Sequence, residues 1–234
     1  LFEKSYPNIT FLKKGQHMKN VDVQVTPRAI VDGAPMLDGP PMILNLKKGE
    51  LRSLIDKPKL KRTIEKKYVC IATHSSSYYK YWLRKNGWND VIKYLKELGY
   101  EVVCIDGDDI ADYGRVKMHV PEGCVKKTGM RNLLERVNDL YFCDFFMGLG
   151  SGLSWLAWAL EKPVVLIAGF SLENCEFKTP YRVINKNVCH GCYGKRGSMN
   201  DPFYCPEHYG TSRQHECSRE ITFEMVKEKI DELI

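Results

Sequence analysis

The chain has no apolar run long enough to cross a bilayer. Its most hydrophobic stretch, Phe145 to Phe170, is broken by Gly148, Gly150 and Gly152 and again by Glu161-Lys162-Pro163, and neither part reaches the ~20 apolar residues a spanning helix needs. Internal repeats are also missing, which excludes a solenoid or an array of small modules. Nor is the composition that of a disordered or fibrous chain, since 44% of the 234 residues are hydrophobic and 27% charged, close to the globular norm. There is no initiating Met and no basic-then-apolar leader before the first turn-rich text; the expectation is a fragment without a secretory signal.

Positive charge is concentrated in one segment. Between Leu46 and Lys67 nine Lys and Arg residues face three acids, which accounts for the whole net charge of +6. A run of this kind can meet nucleic acid or an anionic membrane surface; without interleaved aromatics it more often faces water as a connector. Ahead of it, residues 1–45 are rich in turns and proline, and Ile9–Leu12, Val21–Val25 and Met42–Leu46 are short apolar runs that could form strands.

From Tyr68 the pattern becomes regular. Tyr68–Thr73, Glu101–Asp106, Asp144–Met147 and Val164–Ala168 are short apolar runs, of the type buried parallel strands show. Between and after them, Trp88–Leu98, Leu133–Leu140, Ser151–Leu160 and Thr222–Leu233 carry helical periodicity, the last with Thr222 as an N-cap. Alternation of strand and helix predicts an α/β fold, a Rossmann-like parallel sheet covered on both faces. Ligands of such sheets sit beyond the carboxyl ends of the strands, which points to the connections Thr73–Lys80, Asp106–Asp109 and Gly148–Gly152.

These connections carry suitable chemistry. In Gly148-Leu149-Gly150-Ser151-Gly152 a strand ends and a helix begins; glycine permits close backbone approach, and free N–H groups at the helix start attract phosphate. A tight packing turn would read the same way. The hydroxyls from Thr73 to Ser77, followed by Lys80, suit a diphosphate cradle, although an ordinary polar loop would also contain them. Asp106, closing the second strand, is placed to accept a ribose hydroxyl or simply to cap. His74 and His119 have no visible partner and read as structural.

Nine cysteines fall into two groups. Cys70, Cys104, Cys124, Cys143 and Cys175 are scattered among apolar residues and read as small buried thiols. Cys189, Cys192, Cys205 and Cys217 crowd into a Gly- and Pro-rich stretch that cannot fold on hydrophobic burial. The C-x2-C spacing brings two thiolates to one metal, and the four together suit a closed tetrahedral sulfur site for zinc or iron. A redox disulfide at the C-x2-C is the alternative.

Several ordered runs carry a family resemblance: Tyr68–Ala72, Lys80-Tyr81-Trp82 with Asn86-Gly87-Trp88, Gly99–Asp106, Gly152–Ala159, Glu176–Asn185, and the four-cysteine finger with Glu216-Cys217. Through them the chain resembles the bacterial autotransporter heptosyltransferases of the ADP-heptose glycosyltransferase superfamily. The resemblance implies an inverting GT-B enzyme that moves a heptose from ADP-heptose to serines of an autotransporter adhesin in the cytoplasm, possible as a homo-oligomer. Residues 68–234 would be the C-terminal donor-binding domain, with a metal finger over 186–220, and residues 1–67 a partial N-terminal segment and basic linker. Donor contacts would come from Ser77, Lys80, Asp106, Gly150, Ser151, Gly152 and Leu153, and iron, with zinc the alternative, from Cys189, Cys192, Cys205 and Cys217. The family's acidic general base lies in the N-terminal domain, so no catalytic base is assigned within this chain. The competing readings are a nucleic-acid-binding module with a zinc ribbon-like finger, which would use the basic run, and a rubredoxin-like electron carrier.

Overall fold

The computed structural model describes residues 2, 4–10, 12, 16, 52–57, 59–193 and 201–234. A six-stranded parallel sheet forms its centre, built from β1 (Tyr68–Ala72), β2 (Glu101–Cys104), β5 (Val125–Lys126), β6 (Phe145–Leu149), β7 (Val164–Ile167) and β8 (Arg182–Val183) in the order β5-β2-β1-β6-β7-β8. A separate antiparallel pair, β3 (Ile110–Asp112) and β4 (Lys117–His119), inserts between β2 and β5. Five helices accompany the strands: α1 (Gly87–Glu97), α2 (Leu133–Phe142), α3 (Gly152–Ala159), α4 (Glu216–Arg219) and α5 (Phe223–Asp231).

The strands are apolar on both sides because both faces are covered. Val69, Ile71, Val102, Phe145, Met147 and Val165 join one buried cluster with Val91, Ile92 and Leu95 of α1 and Val226 and Ile230 of α5. The alternate residues Tyr68, Cys70, Val103, Phe146 and Leu166 join a second with Val137 and Leu140 of α2 and Ala157 and Trp158 of α3. A one-residue slip would exchange the two sets, so the pairing of Cys70 with Phe146 and of Ala72 with Gly148 is fixed by packing on both faces.

The four strands and four helices expected from periodicity are present. Of the earlier apolar runs, Val21–Val25 and Met42–Leu46 lie outside the described residues, while Ile9 and Leu12 are exposed and in no strand. The basic segment does more than face water. Ile55 is buried and Leu60 and Ile64 pack on the α2–α3 side, and Lys61 exchanges backbone hydrogen bonds with the Asn138 side chain (2.8 and 2.9 Å). Its cations stack on rings of the sheet domain, Arg52 over Trp158 and Lys67 over Tyr100 at 5.0 and 4.1 Å. No helix among the described residues is long and apolar enough to cross a membrane.

Candidate functional site

The sheet order makes the site. The chain runs from β1 outward through β2 to β5, returns, and runs outward the other way from β6 through β7 to β8. The loops leaving β1 and β6 therefore diverge to opposite faces and open a crevice, the topological switch point where open α/β sheets bind ligands. A cleft of about 1020 Å³ lies there, lined by His74, Ser75, Ser76 and Lys80 after β1 and by Gly150, Ser151, Gly152 and Leu153 after β6. Asp106 and Asp108 after β2 border it, and Trp155 and Trp158 of α3 form an apolar wall.

Each expected donor residue can now be placed. Ser151 is the N-cap of α3, in extended conformation and without a side-chain cap bond, so its side chain leaves the first N–H groups of the helix uncapped beside the cleft that Ser151, Gly152 and Leu153 line. Gly152 opens the helix, and a Cβ there would meet nothing within 4 Å. Gly150 is different: a Cβ would overlap Glu176 Oε1, so this glycine makes room for a carboxylate beneath the loop. Lys80 ends a single 3-10 turn, Tyr78–Lys80. Burial holds its ammonium below the usual lysine pKa, and the charge of Glu176 opposes the shift. One carboxylate thus connects the lysine to the glycine loop.

Two residues are placed less directly. Ser77 precedes the 3-10 turn, and its carbonyl accepts the Lys80 N–H at 3.1 Å; Ser75 and Ser76 are the serines that line the cleft. Asp106 is buried, with its carboxylate already accepting from Thr73 N–H (2.8 Å), Thr73 Oγ1 (2.9 Å) and His74 N–H (3.1 Å). It pins the β1 loop to β2 and holds the crevice open from that side.

Sequence reading missed Glu176 and Arg182. Their ion pair is 2.7 Å long, with side chains 5% and 10% exposed, and Arg182 Nη2 also donates to the Ser171 carbonyl. Arg136 went unnoticed as well: it is buried on α2 and donates to the carbonyls of Asp106, Lys127 and Gly129 at the cleft rim. The spacings are six residues between Glu176 and Arg182 and seven to thirty between Arg136 and its acceptors, and no local pattern announces such pairs.

The four clustered cysteines also converge. Cys189, Cys192, Cys205 and Cys217 line one small cavity together with His208 and His215, and the Sγ atoms of Cys189 and Cys192 are 3.8 Å apart. Burial, and then the neighbouring thiols of Cys192, Cys205 and Cys189, push the Cys217 thiol up to about 12. A thiol crowded by three others in a buried cavity is a setting that suits a thiophilic cation. Cys189, His208 and Glu216 also bring one ligand atom each within 4.8 Å of one another. Glu216 is engaged otherwise: Arg213 grips both carboxylate oxygens (2.6 and 3.0 Å) and the Cys189 N–H reaches Oε1, with the Arg213 hydrogen bonds holding its pKa down to about 2. Among the described residues no three of the cysteine sulfurs come within 4.8 Å of one another; Cys189 and Cys192 are the pair in contact, and Cys205 and Cys217 share the cavity lining with them.

The finger is joined to the cleft. Gly169, after β7, lies so close to Cys217 that a Cβ would overlap the Cys217 carbonyl. Leu83 N–H donates to Ser218 Oγ, Ser218 Oγ donates to the Tyr81 carbonyl, and Trp82 Nε1 donates to the Ile221 carbonyl. Tyr79 packs on Phe170 at 4.4 Å and Tyr78 on Phe203 at 4.8 Å. The turn that carries Lys80 rests on this module.

Comparison with known proteins agrees with the geometry. Residues 29–200 match the family model of glycosyltransferase family 9 (heptosyltransferase). The autotransporter heptosyltransferase TibC of Escherichia coli O78:H11 (strain H10407 / ETEC) is 51% identical over 176 residues, covering 74% of this chain and 43% of that protein. The crystal structure of TibC, an iron-containing dodecameric glycosyltransferase, superposes with a TM-score of 0.82 at 45% identity, over 85% of this chain and 52% of that one. A second TibC structure, a complex with ADP-D-beta-D-heptose, gives a TM-score of 0.79 at 47% identity, over 82% of this chain and 50% of that one. The chain thus spans about half the length of the relatives it matches.

Proposed function

Since the chain belongs to glycosyltransferase family 9 (heptosyltransferase), we propose that it is the sugar-nucleotide-binding half of an inverting glycosyltransferase, with ADP-heptose as donor. The observation that carries this reading is the convergence of Lys80 and the α3 start at Gly150–Gly152 on one cleft at the switch point of the sheet. A second domain N-terminal to residue 68 would supply the general base, and a serine hydroxyl of an autotransporter adhesin would be the acceptor. Sugar-nucleotide chemistry of this kind belongs to the cytoplasm.

The chemistry follows from charge. In an inverting transfer the acceptor oxygen loses its proton to a base and attacks the anomeric carbon, while the bond from that carbon to the diphosphate breaks. Negative charge grows on the departing phosphate. The Lys80 ammonium and the N–H groups at the α3 start are fixed beforehand at the place where that charge develops, the arrangement that stabilises a leaving group most effectively. The charge of Glu176 favours the protonated form of Lys80, and a bound diphosphate, carrying more charge, would favour it further.

Cys189, Cys192, Cys205 and Cys217 would hold iron, as the iron-containing relative and the thiol-lined cavity support. A tetrathiolate ion leaves no open position for substrate, so its contribution is to fold the finger. The test of the donor reading is calorimetry with ADP and ADP-heptose. Wild type should bind both and Lys80→Ala should bind each at least tenfold more weakly; if wild type binds no nucleoside diphosphate, the reading fails.

A further inference from the structure

We propose that His74 contacts a sugar hydroxyl of the bound sugar nucleotide, an inference that rests on the donor reading of the cleft. His74 stands at the carboxyl end of β1, where its backbone N–H is tied to Asp106 Oδ1. Its ring lies against Tyr81, with centroids 5.9 Å apart, and lines the cleft beside Ser75 and Lys80. Both ring nitrogens are shielded from solvent in the free chain and neither finds a hydrogen-bond partner among the described residues; the Ser75 hydroxyl beside it is in the same condition, so a turn of the part-buried ring about its side-chain bonds is what would present a nitrogen to the cleft.

Buried polar atoms of this kind are few in native proteins, and each is costly unless something satisfies it. The partner needed here can be specified. A neutral imidazole presents one N–H donor and one lone-pair acceptor. Phosphate oxygens only accept, so the diphosphate can serve one nitrogen at most. A hydroxyl both donates and accepts, and a sugar carries several in a row. Lys80 and the α3 start take the phosphate charge, and the groups attached to a diphosphate on either side are the ribose and the transferred sugar. His74 therefore reads a polyol beside the phosphates.

The experiment measures affinities of the whole chain for ADP-heptose and ADP by calorimetry, and for pyrophosphate by competition, in wild type, His74→Phe and His74→Gln. Phe keeps the ring packing on Tyr81 and removes both nitrogens; Gln keeps a donor and an acceptor. The Phe variant should lose about tenfold in affinity, with part of it recovered by Gln. A loss confined to ADP-heptose assigns the contact to the transferred sugar. A loss shared by ADP and ADP-heptose, with pyrophosphate unchanged, assigns it to the ribose. Unchanged affinities in the Phe variant, or an equal loss for all three probes, would overturn the proposal. If wild type binds no ADP, the donor reading itself falls and this inference with it, whereas ADP binding that ignores His74 removes this inference alone.

Discussion

Two glycines in one loop should respond to the same mutation in opposite ways. Neither Gly150 nor Gly152 has a positive φ, so backbone strain does not separate them; what surrounds the absent Cβ does. Alanine at 150 would place a methyl on Glu176 Oε1, with Ser171 Oγ 3.4 Å away. A free glutamate would swing aside at little cost, but this one is 5% exposed and holds Arg182 at 2.7 Å. If the loop lifts instead, the overpacking costs about 1–3 kcal/mol. If Glu176 leaves, Arg182 loses its buried carboxylate, which costs about 3–5 kcal/mol. The cheaper route sets the expectation of a loss of about 1–3 kcal/mol. At about 2–4 °C per kcal/mol for a chain of this size, the melting temperature should fall by roughly 2–12 °C. Alanine at 152 meets nothing within 4 Å and should be neutral or stabilise by about 0.4–1 kcal/mol through the unfolded chain. Its methyl would stand at the helix start, so ADP binding should weaken while the fold does not. Thermal unfolding of the two variants beside wild type, with ADP titrations of each, reads both effects. Gly150→Ala melting with wild type, or the two variants losing equal stability, would refute the packing argument.

Lys80 gives a pH prediction. Its ammonium pKa is lowered by burial in the free protein, and a bound diphosphate must raise it, so ADP affinity should be full below the free-protein value and decline as pH rises through it. Titrations from neutral to strongly alkaline pH should show that decline in wild type and a flat profile in Lys80→Ala; parallel profiles would remove the lysine from the site. The metal reading predicts that the purified chain carries iron with visible thiolate-to-iron absorption. Cys205→Ser should lose both, and a colourless, iron-free wild type prepared with iron available would contradict it. Gly169→Ala should be harsher than Gly150→Ala, because the obstacle is the Cys217 backbone carbonyl, which cannot rotate away. Its metal should leave faster to a chelator, and wild-type retention would show that the finger does not depend on this approach.

What the sequence disclosed depended on how local the cause was. β1, β2, β6 and β7 announced themselves as short apolar runs and α1, α2, α3 and α5 as apolar periodicity, because each buries a continuous face. β5 and β8 are two residues long, too short for any period, and β3 and β4 are largely exposed three-residue strands without a core face. In the cleft, the glycines at a strand-to-helix junction and the lysine after β1 were legible as local patterns, and both line it. Which serines line the cleft was not: Ser75 and Ser76 do, whereas Ser77 is the N-cap of the 3-10 turn. His74 looked idle because its significance lies in lacking a partner, a property of the folded surroundings. Glu176 matters only through Arg182, Lys80 and Gly150, three relations that exist after folding.

The attachment of the cysteine module to the turn Tyr78–Lys80 bears on how far the chain can be shortened. A piece ending after β8 would retain every residue that lines the cleft, yet Trp82 would lose its acceptor at Ile221, Tyr81 its bond from Ser218, and Tyr78 its neighbour Phe203. α1 would be stripped of its partner α5 on the same side of the sheet. Such a truncation would own the atoms that line the cleft without the means to hold them still, and sequence coverage alone would misjudge where the smallest competent unit ends.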